Sequence, residues 1–223
     1  MSNVVVKENH LTFGGVAYFR AHAEEVEIGS IGELRQPIAK QNYLEVKDRI
    51  PVKEEDVIQA TVVDIDFDQT SKTDLSLGAA AIVDGVPVKF SGDAAFKKMR
   101  AGELKLVKFS ITSNIMKQIA NNSPEKLQDL YRWGKNARIA HQVFIVMEAS
   151  LANEFSKNIG LKISAGVEGL NAEVGVGVAS SGATKVVISK DTCFAYLLLK
   201  IKWNKMQAEP KIIDLNDDQW GLG

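Results

Sequence analysis

Residues 157–178 alternate with a period of two yet offer almost no side chain large enough to fill a core. Ile159, Leu161, Ile163, Ala165 and Val167 fall on one face, with Gly160, Lys162, Ser164, Gly166 and Glu168 on the other. After a turn at Gly169, Leu170, Ala172, Val174, Val176 and Val178 repeat the pattern opposite Asn171, Glu173, Gly175 and Gly177. Successive side chains of a strand point to opposite faces, so this reads as a hairpin with one thin apolar face and one small, polar face. A sandwich strand usually spends aromatics on its core face. A strand that must meet lipid on one side and water on the other has the composition seen here. The plainer reading is an edge hairpin of an ordinary antiparallel sheet, where glycine marks bulges or close approach.

A second hairpin is written more sharply. Leu75, Leu77, Ala79, Ala81 and Val83 alternate through residues 72–83, then Asp84-Gly85, then Val86, Val88 and Phe90. Asp-Gly between alternating runs suits a two-residue type I′ turn, whose central residues both need positive φ. Further strands are expected at 4–6, 11–19, 25–28, 43–46, 57–67, 104–111, 142–148, 185–189 and 192–203, with a helical turn at 31–35 ended by Pro37. Ser113 is placed to cap a helix over 114–120, and Ser123-Pro124 to open one over 125–133 that Gly134 closes. The expected fold is α+β: a twisted, mostly antiparallel sheet with two long β-hairpins and a few short helices on its periphery. Residues 1–204 form the body, and 205–223 a short segment that follows Pro210. Ile212, Ile213, Leu215 and Trp220 are costly to leave in water, so that segment is expected to dock on the body.

The chemistry of an enzyme is hard to assemble. His10, His22 and His141 are scattered, with no i, i+4 pair and no Cys-x-x-Cys, so neither a metal nor a cofactor is expected. Cys193 lies in an apolar run and reads as a buried, inert thiol; as the only cysteine it fits a reducing compartment. Nucleophile elbows, Walker loops and dinucleotide fingerprints are absent, and Asp64, Asp66 and Asp68 alternate as a solvated strand face does. A net charge of −1 over 223 residues gives no electrostatic case for nucleic acid. No eighteen-residue apolar segment exists, so a chain soluble and cytosolic at rest is expected.

The order of elements over residues 57–203 resembles that of gasdermin pore-forming domains of the compact microbial type. There a hairpin precedes a strand, a helical pair, a second strand, a second long hairpin and an apolar final strand. Here residues 57–96, 104–111, 112–133, 143–149, 154–178 and 186–200 would fill those places. The first fifty residues match poorly, and the early lipidated cysteine that bacterial members can carry has no counterpart. The resemblance implies an effector of cell death that, once a protease removes its C-terminal segment, oligomerises and inserts both hairpins into a cell membrane. Ile212, Ile213, Leu215 and Trp220 would then belong to an autoinhibitory tail. About ten lipid-facing side chains per hairpin, at ~1–2 kcal/mol each, give a gross gain of roughly 10–20 kcal/mol. Open strand edges in lipid require many copies side by side. Lys97, Lys98, Arg100, Lys105 and Lys108 would meet anionic headgroups, against the simpler reading of a solvated face. The competing class is a non-enzymatic β-rich self-assembling or binding module that never enters a membrane.

Overall fold

The computed structural model describes residues 3–37, 41–52, 59–75, 80–156, 162–165, 177–178, 184–188, 191–204 and 209–221. The chain is α+β. Twelve strands form one curled, mostly antiparallel sheet, and four short helices pack around it. Its spine is two long apolar strands, β10 (Ala137–Glu148) and β14 (Cys193–Trp203), paired antiparallel from Arg138↔Lys200 to Ile145↔Cys193. The numbering counts β1 (Val5–Val6), β2 (His10–Phe13), β3 (Val16–Phe19), β4 (Ser30–Arg35), β5 (Tyr43–Arg49) and β6 (Gln59–Val63) before them. Then come β7 (Ala81–Val83), β8 (Val86–Val88), α1 (Gly92–Arg100), β9 (Leu104–Ser110), α2 (Ser113–Asn121) and α3 (Pro124–Trp133). After β10 follow α4 (Ala149–Ser156), β11 (Lys162–Ala165), β12 (Gly177–Val178) and β13 (Thr184–Ile188); β15 (Ile212–Asp218) comes last.

The sheet curls because β10 changes partners along its length. Its first residues pair with β4 and its last with β9, while β7 runs parallel beside Val146 and Met147. Strand β10 almost throughout and β14 from Cys193 to Leu199 are buried on both faces, which explains their near-continuous apolar sequence there. Val143, Ile145, Tyr196 and Leu198 join one core with α2 and α3; Phe144, Val146, Phe194 and Leu197 join a second with Val4, Leu11 and Met99. Tyr196 ties layers together, accepting from the Leu44 amide at 3.0 Å and donating to the Ala21 carbonyl at 2.9 Å.

Several local expectations are met. Asp84 and Gly85 have φ of 50° and 76°, as a type I′ turn requires. Pro124 sits in the first turn of α3 and Gly134, at φ 61°, ends it. Others are corrected. Residues 31–35 are strand, not helical turn, and residues 25–28 are no strand, a 3-10 turn occupying Ala23–Glu25. Residues 11–19 are two strands joined by Gly14-Gly15, both at positive φ. Helix α2 is capped by Thr112, whose hydroxyl accepts from the Ile115 amide, one residue before the expected Ser113. The Ser123 hydroxyl bonds back to the Ile119 carbonyl instead of capping α3. Helix α1 was not anticipated; Ser91 caps it, and Ala95 and Met99, four apart, turn inward.

Candidate functional site

The feature with the most specific chemistry is the seam that fastens the C-terminal strand. Strand β15 runs antiparallel to β14 from Leu198↔Asp218 to Trp203↔Ile212. The register shifts between Lys202 and Trp203, so Ile213 is an extra residue. That bulge lets Ile212 and Leu215 enter one core together, at 1% and 5% exposure, and turns Ile213 out to 43%. Three of the four residues expected to dock do so, Trp220 by stacking on His10 at 4.3 Å; Ile213 does not.

Side chains complete what the backbone begins. Asn121 of α2 grips Ile212 twice: its amide nitrogen donates to the carbonyl and its oxygen accepts from the amide, both at 2.9 Å. Lys117 reaches the Ile213 carbonyl at 3.4 Å. Beyond the strand, the Trp220 amide donates to Ala17 at 2.9 Å, and Gln219 accepts from the Ala17 amide. Asp217 and Asp218 lie on opposite faces and meet different side chains of β10. Arg138 donates through Nε to Asp218 in a buried ion pair, and through Nη1 to the carbonyls of Lys135 and Ala137. His141 Nε2 lies 3.2 Å from Asp217 Oδ1. Contact with His141, helped by the charge of Lys108, holds the Asp217 carboxyl below its ordinary value against the opposing effect of burial. Burial and the neighbouring Asp217 push Tyr18 up to about 12. Asn121→Ala is expected to cost about 1–2 kcal/mol, since the Ile212 amide and carbonyl both lose their side-chain partner. Thermal unfolding checks the cost, and faster exchange at Ile212 than in β10 locates it.

The expected inserting residues are distributed unevenly. In the first hairpin Leu75 lies in a turn over residues 72–75 rather than in a strand, and is fully buried. Leu77 and Ala79 lie outside the described residues. Ala81 is buried beside Val146 of β10, Val83 is half-buried, and Val86 and Val88 are exposed at 42% and 36%. The hairpin arms are therefore three residues each, and α1 begins soon after β8. Of the second hairpin, Ile163 and Ala165 lie in β11 and Val178 in β12. Strand β13 stands between these two, parallel to β11 and antiparallel to β12, so the arms read as partners are not adjacent there. Residues 154–156, expected to open the second hairpin, belong to helix α4 instead. Ile159, Leu161, Val167, Leu170, Ala172, Val174 and Val176 lie outside the described residues.

Nor do the basic residues form a uniform free face. Lys98 pairs with Glu103 at 2.6 Å and Lys105 with Asp64 at 2.7 Å. Lys108 packs over Phe13, its pKa lowered by burial. Cys193 is buried and burial drives its thiol pKa up, away from reactivity. Among the described residues, His22, Glu24 and Glu25 offer ligand atoms within 4.8 Å of one another. Their geometry already has an account: His22 contacts Glu25 at 3.6 Å and packs on Tyr43. No protein-family model matches the chain, and searches of curated proteins and of solved structures found no match either.

Proposed function

We propose that the chain is a pore-forming effector held at rest by its own C-terminal strand. The observation that supports this reading is the place of β15, which covers the edge of β14 from Leu198 to Trp203. Removing it bares a row of unpaired backbone groups next to Ile201 and Trp203, a template for a strand of another copy. Assembly of many copies would accompany insertion, because an open sheet edge has no place in lipid. The partners of this reading are further copies of the chain, an anionic membrane and a protease that cuts between body and tail; nucleic acid plays no part. Among the described residues no helix is long and apolar enough to cross a membrane, so strands would have to do so.

One observation favours a second reading, a β-rich assembly or binding module that stays in water. At ~3.3 Å per residue, the three-residue arms of β7 and β8 reach about 10 Å, a third of a hydrocarbon core of ~30 Å. Spanning would require the turn at 72–75 and part of α1 to become strand.

Dye release from anionic liposomes separates the two readings, comparing the full chain with one ending at Asn204, each checked for folding by near-ultraviolet circular dichroism. Release confined to the shortened chain is the expected result. A folded shortened chain that self-associates in water and leaves vesicles sealed would replace the pore with the assembly module.

A further inference from the structure

The N-terminal strands stand between the end of the tail and the run that leads into the first hairpin. Strand β3 joins the spine through the pair Tyr196↔Phe19, and β2 and then β1 follow outward as the margin of the sheet. The tail grips this margin from one side. The Trp220 indole lies flat on the His10 ring of β2, with centroids 4.3 Å apart and 7° between the planes. Its amide donates to the Ala17 carbonyl of β3 at 2.9 Å, and the Gln219 side chain accepts from the Ala17 amide at 3.3 Å. Both backbone groups of one β3 residue are thus engaged by the tail.

From the other side the same strands hold residues 64–75. The Val4 amide donates to the Asp64 carbonyl and the Asp66 amide to the Val4 carbonyl, both at 2.8 Å. The Val6 amide donates to the buried Thr70 hydroxyl at 3.0 Å. Lys7 reaches the Gln69 carbonyl at 2.5 Å, and the Glu8 amide donates to the Asp74 carboxylate at 3.1 Å. That carboxylate also accepts from the Ser71 amide and hydroxyl, which closes the turn. Arg20, the residue after β3, donates through Nη1 to the carbonyls of Lys7 and Asp74 while its guanidinium lies 4.3 Å over the Phe194 ring. A single guanidinium nitrogen therefore ties the end of β1 to the turn at 71–74.

We infer that the N-terminal strands are a strap by which the seated tail holds residues 69–75 in their turn, so that departure of Trp220 frees that run as well as the edge of β14. The contacts of Trp220 and Gln219 are lost together when the tail leaves. The strap then rests on its buried apolar side chains, Val4, Val6, Leu11 and Tyr18, and on the short ladder at Tyr196. A marginal unit with few ladder bonds opens at a lower free energy than the spine, and every contact it makes with residues 69–75 opens with it. The strap deepens the restraint proposed for the tail. It rests on that reading only for its purpose, because insertion requires the turn at 72–75 to become strand.

Hydrogen exchange on the full-length chain tests it, with the amides of Val6, Ser71 and Leu75 as reporters of the turn and Ala17 as reporter of the tail contact. Trp220→Ala should speed exchange about tenfold at all four, the scale of one lost aromatic stack with its burial, and leave β10 unchanged. Trp220→Phe keeps a ring on His10 and should restore most of the protection. Arg20→Met should free Ser71 and Leu75 with the Trp220 contacts intact, and adding Trp220→Ala to it should speed Leu75 no further. Acceleration at Ala17 without Ser71 and Leu75, an equal rise throughout β10, or multiplied effects in the double variant would each overturn the strap. If Arg20→Met does not fold, Trp220→Ala against Trp220→Phe decides alone. No membrane enters the measurement, so a failure of dye release counts against the pore and leaves the strap standing.

Discussion

Asp218→Ala should destabilise the chain by about 3–5 kcal/mol, far more than an exposed aspartate would. Its carboxylate neutralises Arg138, whose side chain is 7% exposed at the start of β10. Carbonyls of Lys135 and Ala137 still accept from Nη1 after the substitution, but they carry no countercharge. The guanidinium is left buried and uncompensated. Arg138→Met should cost less, about 1–3 kcal/mol, because Asp218 sits near the end of β15 and can find water by fraying the last residues. Replacing both, as Arg138→Met with Asp218→Leu, should recover most of the loss, since a packed apolar pair rivals a buried ion pair. Urea unfolding gives each cost, and adding the single variant Asp218→Leu closes the cycle from which the coupling follows. A cost below about 1 kcal/mol for Asp218→Ala would mean that backbone pairing and Asn121 hold the strand without the ion pair.

The sequence disclosed what depends on neighbours along the chain. Asp84-Gly85 carries its own turn chemistry, and Pro124 and Gly134 bracket a helix by their backbone limits. The run from Cys193 to Trp203 could hardly be anything but a buried strand. Gly14-Gly15 is an equally clear turn signal, set inside a run from Leu11 to Phe19 that is largely apolar on both sides of it. The sequence reading starts this strand at Gln142, whereas β10 begins at Ala137 and takes Arg138 and His141 into its interior. Their partners, Asp218 and Asp217, come from nearly eighty residues away, and no local pattern announces them. The tail shows both sides of this. Ile212, Leu215 and Trp220 were visible as groups needing cover, whereas the outward turn of Ile213 follows from a bulge set by the register against β14.

Gly32→Ala should be among the most damaging single-methyl substitutions available. Ile31-Gly-Glu-Leu-Arg35 has helix-compatible residues ending near a proline, yet it lies in β4, paired with β5 through a register shift at Ile31/Gly32. A Cβ on Gly32 would stand 2.0 Å from the Glu45 carbonyl oxygen and 2.9 Å from its carbon. That neighbour is backbone held in a strand ladder, so no rotamer change relieves the clash. The two strands must part, loosening Ile31, Leu34 and Leu44 from the core they share. A cost of about 3 kcal/mol or more follows, above the usual range for one added methyl. Gly102→Ala supplies the contrast, because Gly102 sits at φ 77° with nothing within 4 Å. Only the left-handed backbone resists a side chain there, at about 1–2 kcal/mol. Urea unfolding of both variants should put Gly32→Ala well below Gly102→Ala; equal midpoints would mean that β4 and β5 do not approach as closely as this register requires.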